Sequence, residues 1–166
     1  MTRTFDTSTP TFWLRAASIV ALLFAAGHTL GAPWTPATSG AAAGVVDAMK
    51  TLHFAAMGRD ATYWRFYYGF GVSITCYLVA LAIMTWQIAA LARSGARRLR
   101  PLILTLAGLY AAIGVLAWMY FFAAPLVMAA IVVACLLAAF VCARERAASG
   151  SAAGRERVLQ ARYSAR

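Results

Sequence analysis

Residues 101–143 read PLILTLAGLYAAIGVLAWMYFFAAPLVMAAIVVACLLAAFVCA, 43 consecutive positions without an Asp, Glu, Lys, Arg or His. The hydrocarbon core of a bilayer is ~30 Å thick and is crossed by about 20 helical residues rising ~1.5 Å each, so this run is about twice as long as one span requires. It must fold back on itself inside the apolar phase. Pro125 supplies the break, because it lacks a backbone N–H and disfavours helix at the residue before it. The run therefore reads as two spans, about 102–122 and 125–142, joined through Ala123-Ala124-Pro125 without a polar loop.

Two further apolar segments lie upstream. One covers about 13–31, with Trp13 and Arg15 completing a short core at headgroup level; the other, about 63–92, carries no charge between Arg65 and Arg93. Composition agrees: of 166 residues 63% are hydrophobic and 12% charged, against about 45–50% and 25% in soluble domains. The mean hydropathy is +0.72. Three Cys with no close pair give no disulfide framework, and Cys76, Cys135 and Cys142 read as small buried apolar residues. The fold expected is all-α, an integral-membrane four-helix bundle over 1–143 followed by a basic tail, 144–166. Small-residue contacts at Gly27/Gly31 and Gly108/Ala112 are expected to hold it.

The charges orient this bundle. Twelve of the fifteen basic residues fall in the N-terminal segment, the 93–100 loop and the tail, and only Lys50, Arg59 and Arg65 fall elsewhere. By the positive-inside rule both termini are cytoplasmic and the segment from Ala32 to about Thr62 faces outward. A secretory signal is the rival reading of the first segment, since a basic start, a short apolar run and the small residues Gly31-Ala32 also fit one. Fourteen Arg against one Lys, with abundant Ala, suggest a bacterial plasma membrane. The net charge of +10 calls for no nucleic acid: the Arg-rich loop and tail suit anionic lipid headgroups, and the repeated Arg-Glu-Arg at 144–146 and 155–157 reads as a solvated tail.

Ionisable residues at membrane depth mark function, and the third and fourth spans hold none, which disfavours a pump, a proton-coupled transporter or a charged pore. Neither paired Asp, nor a Ser with a His in reach, nor a His-Glu-x-x-His motif occurs in the spans, which disfavours an intramembrane protease. Polar residues gather instead between Gly27-His28 and Tyr68. There Pro33–Gly40 reads as a loop, and 41–57 as a short amphipathic helix over the outer end of the bundle. Met49, His53 and Met57 would share one face of that helix at i, i+4, i+8, a soft-metal possibility suited to Cu(I), although a packing stripe explains the same spacing. Two His as haem ligands fit poorly, one lying on a loop helix, and no cofactor is assigned.

The densest feature is Gly58-Arg59-Asp60-Ala61-Thr62-Tyr63-Trp64-Arg65-Phe66-Tyr67-Tyr68-Gly69-Phe70-Gly71. As an interfacial anchor it places Trp and Tyr at the headgroups. Its four-residue recurrences, Arg59/Tyr63/Tyr67 and Asp60/Trp64/Tyr68, also suggest two adjacent helical stripes offering a cation and aromatic walls to a headgroup, quinone or other amphipathic ligand. With one extra residue after Arg59, this string resembles the Arg-x-x-Tyr-Trp-x-Phe-Tyr-x-Gly-Phe-Gly signature of an uncharacterised family of small bacterial four-helix inner-membrane proteins, similar in architecture to DoxX-like proteins. Gly27-His28 and the Tyr-Phe-Phe-x-x-Pro junction at 120–125 extend the resemblance along most of the chain. It implies a four-helix membrane bundle with its marked residues on one side and brings no activity with it. The family often has an acidic residue where this chain has Arg65.

The candidate ligand site is therefore His28, His53, Arg59, Asp60, Tyr63, Trp64 and Tyr67. The leading expectation is a non-enzymatic accessory or lipophile-binding membrane protein. A quinone-linked redox subunit and copper handling through Met49, His53 and Met57 are the alternatives.

Overall fold

The computed structural model describes residues 9–31 and 39–164, with the side chains of 144–159 and 161–164 excepted. It is mostly helical: α1 (Pro10–Gly31), α2 (Gly40–Thr51), strands β1 (His53–Ala56) and β2 (Arg59–Thr62), α3 (Tyr63–Gly95), a 3₁₀ turn (Ala96–Leu99), α4 (Arg100–Tyr120) and α5 (Ala123–Ser164). Three stretches are long and apolar enough to cross a membrane: Pro10–Gly31, Tyr63–Tyr120 and Ala123–Ala143. The second, of 58 residues, is divided by the 3₁₀ turn into α3 and α4.

Local chemistry accounts for the helix starts. Thr9 caps α1, its Oγ1 accepting from the Phe12 N–H at 3.3 Å, and Pro10 takes the first helical position, where a missing N–H costs nothing. Thr62 does the same for α3, accepting from the Arg65 N–H at 3.3 Å. Pro125 sits inside the first turn of α5, which tolerates it, so the break it imposes falls two residues earlier than expected, at Phe121-Phe122. Beyond Ala143, along the stretch read as a basic tail, α5 continues as helix to Ser164. The expected loop lies, at 32–38, outside the described residues, as do Arg3 and the side chains of both Arg-Glu-Arg repeats.

The chain forms two compact units. The first takes the chain up to Val20 and from Ala82 onward. Here α4 buries Ile103, Leu106, Tyr110, Gly114 and Ala117, and α5 buries Ala129, Val132, Leu136, Ala139 and Ala143. Both sets advance in steps of three or four, the spacing of one helix face packed along a neighbour. The same α4 leaves Leu109, Val115, Leu116 and Trp118 exposed. The exposed face is as apolar as the buried one, so close backbone approach rather than hydrophobicity decides which face turns inward. Gly114 shows that approach, since a Cβ there would lie 3.6 Å from Ala129 Cβ. The glycine contacts expected elsewhere do not form: Cβ atoms at Gly27, Gly31 and Gly108 would meet open space, and Ala112 is exposed. Of the cysteines only Cys135 is buried; Cys142 is partly covered and Cys76 is exposed on its helix. Within this unit Ser18 Oγ donates to the Ala82 carbonyl at 2.7 Å, a buried link from α1 to α3.

The second unit, Ala21–Leu81, contains the outward-reading segment. The amphipathic helix expected over 41–57 ends at Thr51, and the rest is a β-hairpin. An all-α fold is thus corrected by one small antiparallel sheet, in register His53↔Thr62, Phe54↔Ala61, Ala55↔Asp60 and Ala56↔Arg59. The reason lies in the two linking residues: Met57 and Gly58 have φ of 50° and 78°, the pair of positive values that a two-residue hairpin turn requires. Met49, His53 and Met57 keep a helical spacing across residues that are not one helix.

Candidate functional site

Two groups of polar residues stand out in the second unit. At the C-terminal end of α1, His28 Nε2 donates to the Gly71 carbonyl of α3 at 3.1 Å, which fixes the proton on that nitrogen. One residue on, Thr29 Oγ1 bonds Thr75 Oγ1 at 3.1 Å and donates to the Ala25 carbonyl at 2.7 Å. His28 is therefore a strut between α1 and α3, and among the described contacts nothing joins it to the hairpin.

The hairpin holds the second group. Strand alternation places His53 and Asp60 on one face and Phe54 and Arg59 on the other. On the first face His53 Nδ1 lies 2.7 Å from Asp60 Oδ2, a diagonal cross-strand pair. On the second, Phe54 packs on the first turn of α3, its ring 4.7 Å from Tyr63 and 5.9 Å from Phe66, and Phe66 continues to Phe70 at 6.2 Å. Arg65 reaches back from α3, its Nη1 donating to the Asp60 carbonyl at 3.2 Å. On another side of α3, Trp64 packs against Tyr67 at 5.4 Å and carries the Lys50 ammonium of α2 over its ring at 4.8 Å.

An open groove of about 530 Å³ lies against the hairpin, lined by Arg59, Asp60, Arg65 and Phe66 with the small Ala56, Gly58 and Ala61. Its chemistry is cationic with an aromatic wall. The Asp60 carboxylate is occupied by His53, and Arg65 uses one guanidinium nitrogen on a backbone carbonyl, so neither Arg59 nor Arg65 has a carboxylate partner among the described residues. Such guanidiniums suit a carboxylate or phosphate.

The sequence-derived set is thus divided. Arg59 and Asp60 line the groove; His53 orients Asp60; Tyr63, Trp64 and Tyr67 stack beside it without lining it; His28 belongs to the helix strut. The two expected stripes do not run through Arg59 and Asp60, because α3 begins only at Tyr63 and both residues lie on β2. Lys50, Phe54, Arg65 and Phe66 lie outside the set, because Met-Gly is not one of the pairs, such as Asn-Gly or Asp-Gly, that mark a two-residue hairpin in a sequence. The soft-metal face fails for the same reason. Met49 is on α2, His53 opens β1 and Met57 is in the turn, fully exposed, so no helical face joins them. Among the described residues no three of His, Cys, Asp and Glu gather as a metal site. No family model matches this chain, and no curated protein or solved structure is similar to it.

Proposed function

We propose that this chain is a small multi-pass protein of the bacterial plasma membrane that binds an amphipathic ligand, without chemistry of its own, in the hairpin groove. In this reading α1, α3, α4 and the first half of α5 are four spans, both termini are cytoplasmic, and the hairpin faces outward. The resemblance to small four-helix inner-membrane proteins and the distribution of arginine support it. The observation that carries it is the groove itself: Arg59 and Arg65 without carboxylate partners, beside the ring of Phe66. An anionic head would meet the guanidiniums and an apolar body the exposed Phe66–Phe70 ladder. Quinone binding is one instance of the same chemistry. Copper handling has lost its geometric basis.

Native mass spectrometry of the protein released from native-membrane nanodiscs tests this reading. Wild type is expected to carry a stoichiometric small molecule that Arg59→Ala and Arg65→Ala each lose while the helical circular dichroism signal is retained. Bulk lipid alone in all three would reduce the groove to an interfacial anchor.

A further inference from the structure

The first unit has its own cationic surface, unrelated to the groove. The 3₁₀ turn Ala96–Leu99 connects α3 to α4 so tightly that Arg97, Arg98 and Arg100 fall within four residues. Arg97 and Arg98 are exposed. Arg100 is held differently: its guanidinium carbon lies 4.2 Å from the centre of the Phe140 ring of α5. Stacking uses the face of a guanidinium and leaves its in-plane N–H donors for another group. Among the described residues Arg100 Nε, which is enclosed, has no hydrogen-bond partner. Among the described side chains this unit has no Asp or Glu, and the described ion pair of the chain, His53–Asp60, lies in the other unit. Three guanidiniums in one turn with no carboxylate among the described side chains of their unit make a cluster that an external anion would stabilise.

The surroundings decide which anion. Immediately after the cluster α4 exposes Leu102 and Leu104, α3 exposes Leu91 before it, and Val141 is exposed next to the clamping Phe140. A free inorganic ion gains nothing from such flanks, whereas a molecule with a phosphate head and hydrocarbon chains satisfies both. We propose that Arg97, Arg98 and the Phe140-clamped Arg100 form a discrete site for the phosphate of an anionic phospholipid, its acyl chains lying on the exposed leucines. Such a site differs from the diffuse attraction of any basic loop to a charged leaflet, because its selectivity resides in one clamped guanidinium and its two neighbours.

The test uses the full chain in nanodiscs of mixed phosphatidylglycerol and phosphatidylcholine, with retained lipid counted by native mass spectrometry. Wild type is expected to retain phosphatidylglycerol selectively. Arg100→Gln is expected to weaken that retention about tenfold, the loss of one charge-assisted hydrogen-bonding group. Arg100→Lys keeps the charge but not the stacked plane and is expected to recover only part of it. Should Arg100→Gln lower the melting temperature, Arg97→Gln/Arg98→Gln, which leaves the Phe140 clamp intact, replaces it with the same expected loss. Equal retention of both lipids by wild type overturns the proposal, as does unchanged selectivity in the Arg97→Gln/Arg98→Gln variant. Competition of inorganic phosphate in detergent at the concentrations that displace the lipid would make the site one for a soluble anion and overturn the lipid assignment.

Discussion

The α4–α5 pair and the β1–β2 pair are both hairpins closed by two residues, Phe121-Phe122 in one and Met57-Gly58 in the other, yet different forces hold them. The helical pair is set by a seam running the length of α4, and its link merely connects two ends that packing has already placed. The strand pair has four register partners, so its two linking residues carry much of what defines it. In the first, specificity resides in side-chain size along one face; in the second, it resides in backbone dihedral angles at two positions. Substitutions that change size should therefore break the helical pair, and substitutions that change allowed φ should break the strand pair.

The largest effect is expected at the seam. Ala139 is fully buried on α5, while Ala134, on the same helix, is exposed. Ala139→Leu overpacks the interface and should destabilise the protein by about 1–3 kcal/mol, whereas Ala134→Leu adds the same atoms to an exposed face and should change little. Thermal unfolding in one detergent checks the pair. Equal effects would mean that α5 does not present the face assigned to it.

The turn comes next. Gly58 has φ of 78°, where an L side chain meets its own backbone, so Gly58→Val should cost about 1–2 kcal/mol although its Cβ would meet no neighbour. Hydrogen exchange should show the loss confined to amides of 53–62, with α4 and α5 protected as before. Met57 already bears such strain at φ 50°, and Met57→Asn, better suited to that region, should move protection the other way.

How far each hairpin is legible in the sequence follows from the same contrast. The uncharged run 101–143 announces two helices, and Pro125 places their junction to within a few residues. Hydropathy says nothing of which face is inside, because Leu109 and Leu106 are equally apolar and only one is buried. Alanine does not carry that information either, since Ala129 and Ala139 are buried on α5 while Ala130 and Ala134 are exposed, and the glycines, the more familiar marker, meet open space at Gly27, Gly31 and Gly108, Gly114 being the exception. The β-hairpin is obscured for the opposite reason. Its strands contain Ala55, Ala56 and Ala61, residues with little strand preference, and Val45, Met49 and Leu52 before it set a helical rhythm that His53 and Met57 happen to continue. Arg59 and Asp60 are recognisable as polar residues just ahead of a long apolar helix. That they sit on opposite strand faces is a consequence of the turn and was out of reach without it.

A smaller effect is expected inside the helical unit. Tyr110 is fully buried on α4 and its hydroxyl has no hydrogen-bond partner. Removing an unsatisfied buried group relieves its desolvation, so Tyr110→Phe should be neutral or stabilise by up to about 1 kcal/mol. A clear loss of stability would reveal an acceptor for that hydroxyl and make α4 something other than a size-determined seam.

The smallest effect belongs to the strand pair. His53 and Asp60 approach to 2.7 Å, but their side chains are 59% and 67% exposed, so water and salt screen the charge and two side chains must be held in one geometry to gain it. A double-mutant cycle with His53→Ala and Asp60→Ala should return a coupling of only about 0.2–0.5 kcal/mol, shrinking as salt is raised. The consequence for the groove is larger than for stability. With His53 gone, the Asp60 carboxylate is free to turn toward Arg59 or Arg65 and compete for the guanidiniums that an anionic ligand needs. His53→Ala should therefore weaken ligand retention more than the coupling alone predicts, and His53→Ala/Asp60→Ala should restore it. If the double variant binds no better than the single, the pair acts only as a cross-strand fastener and the cationic character of the groove does not depend on it.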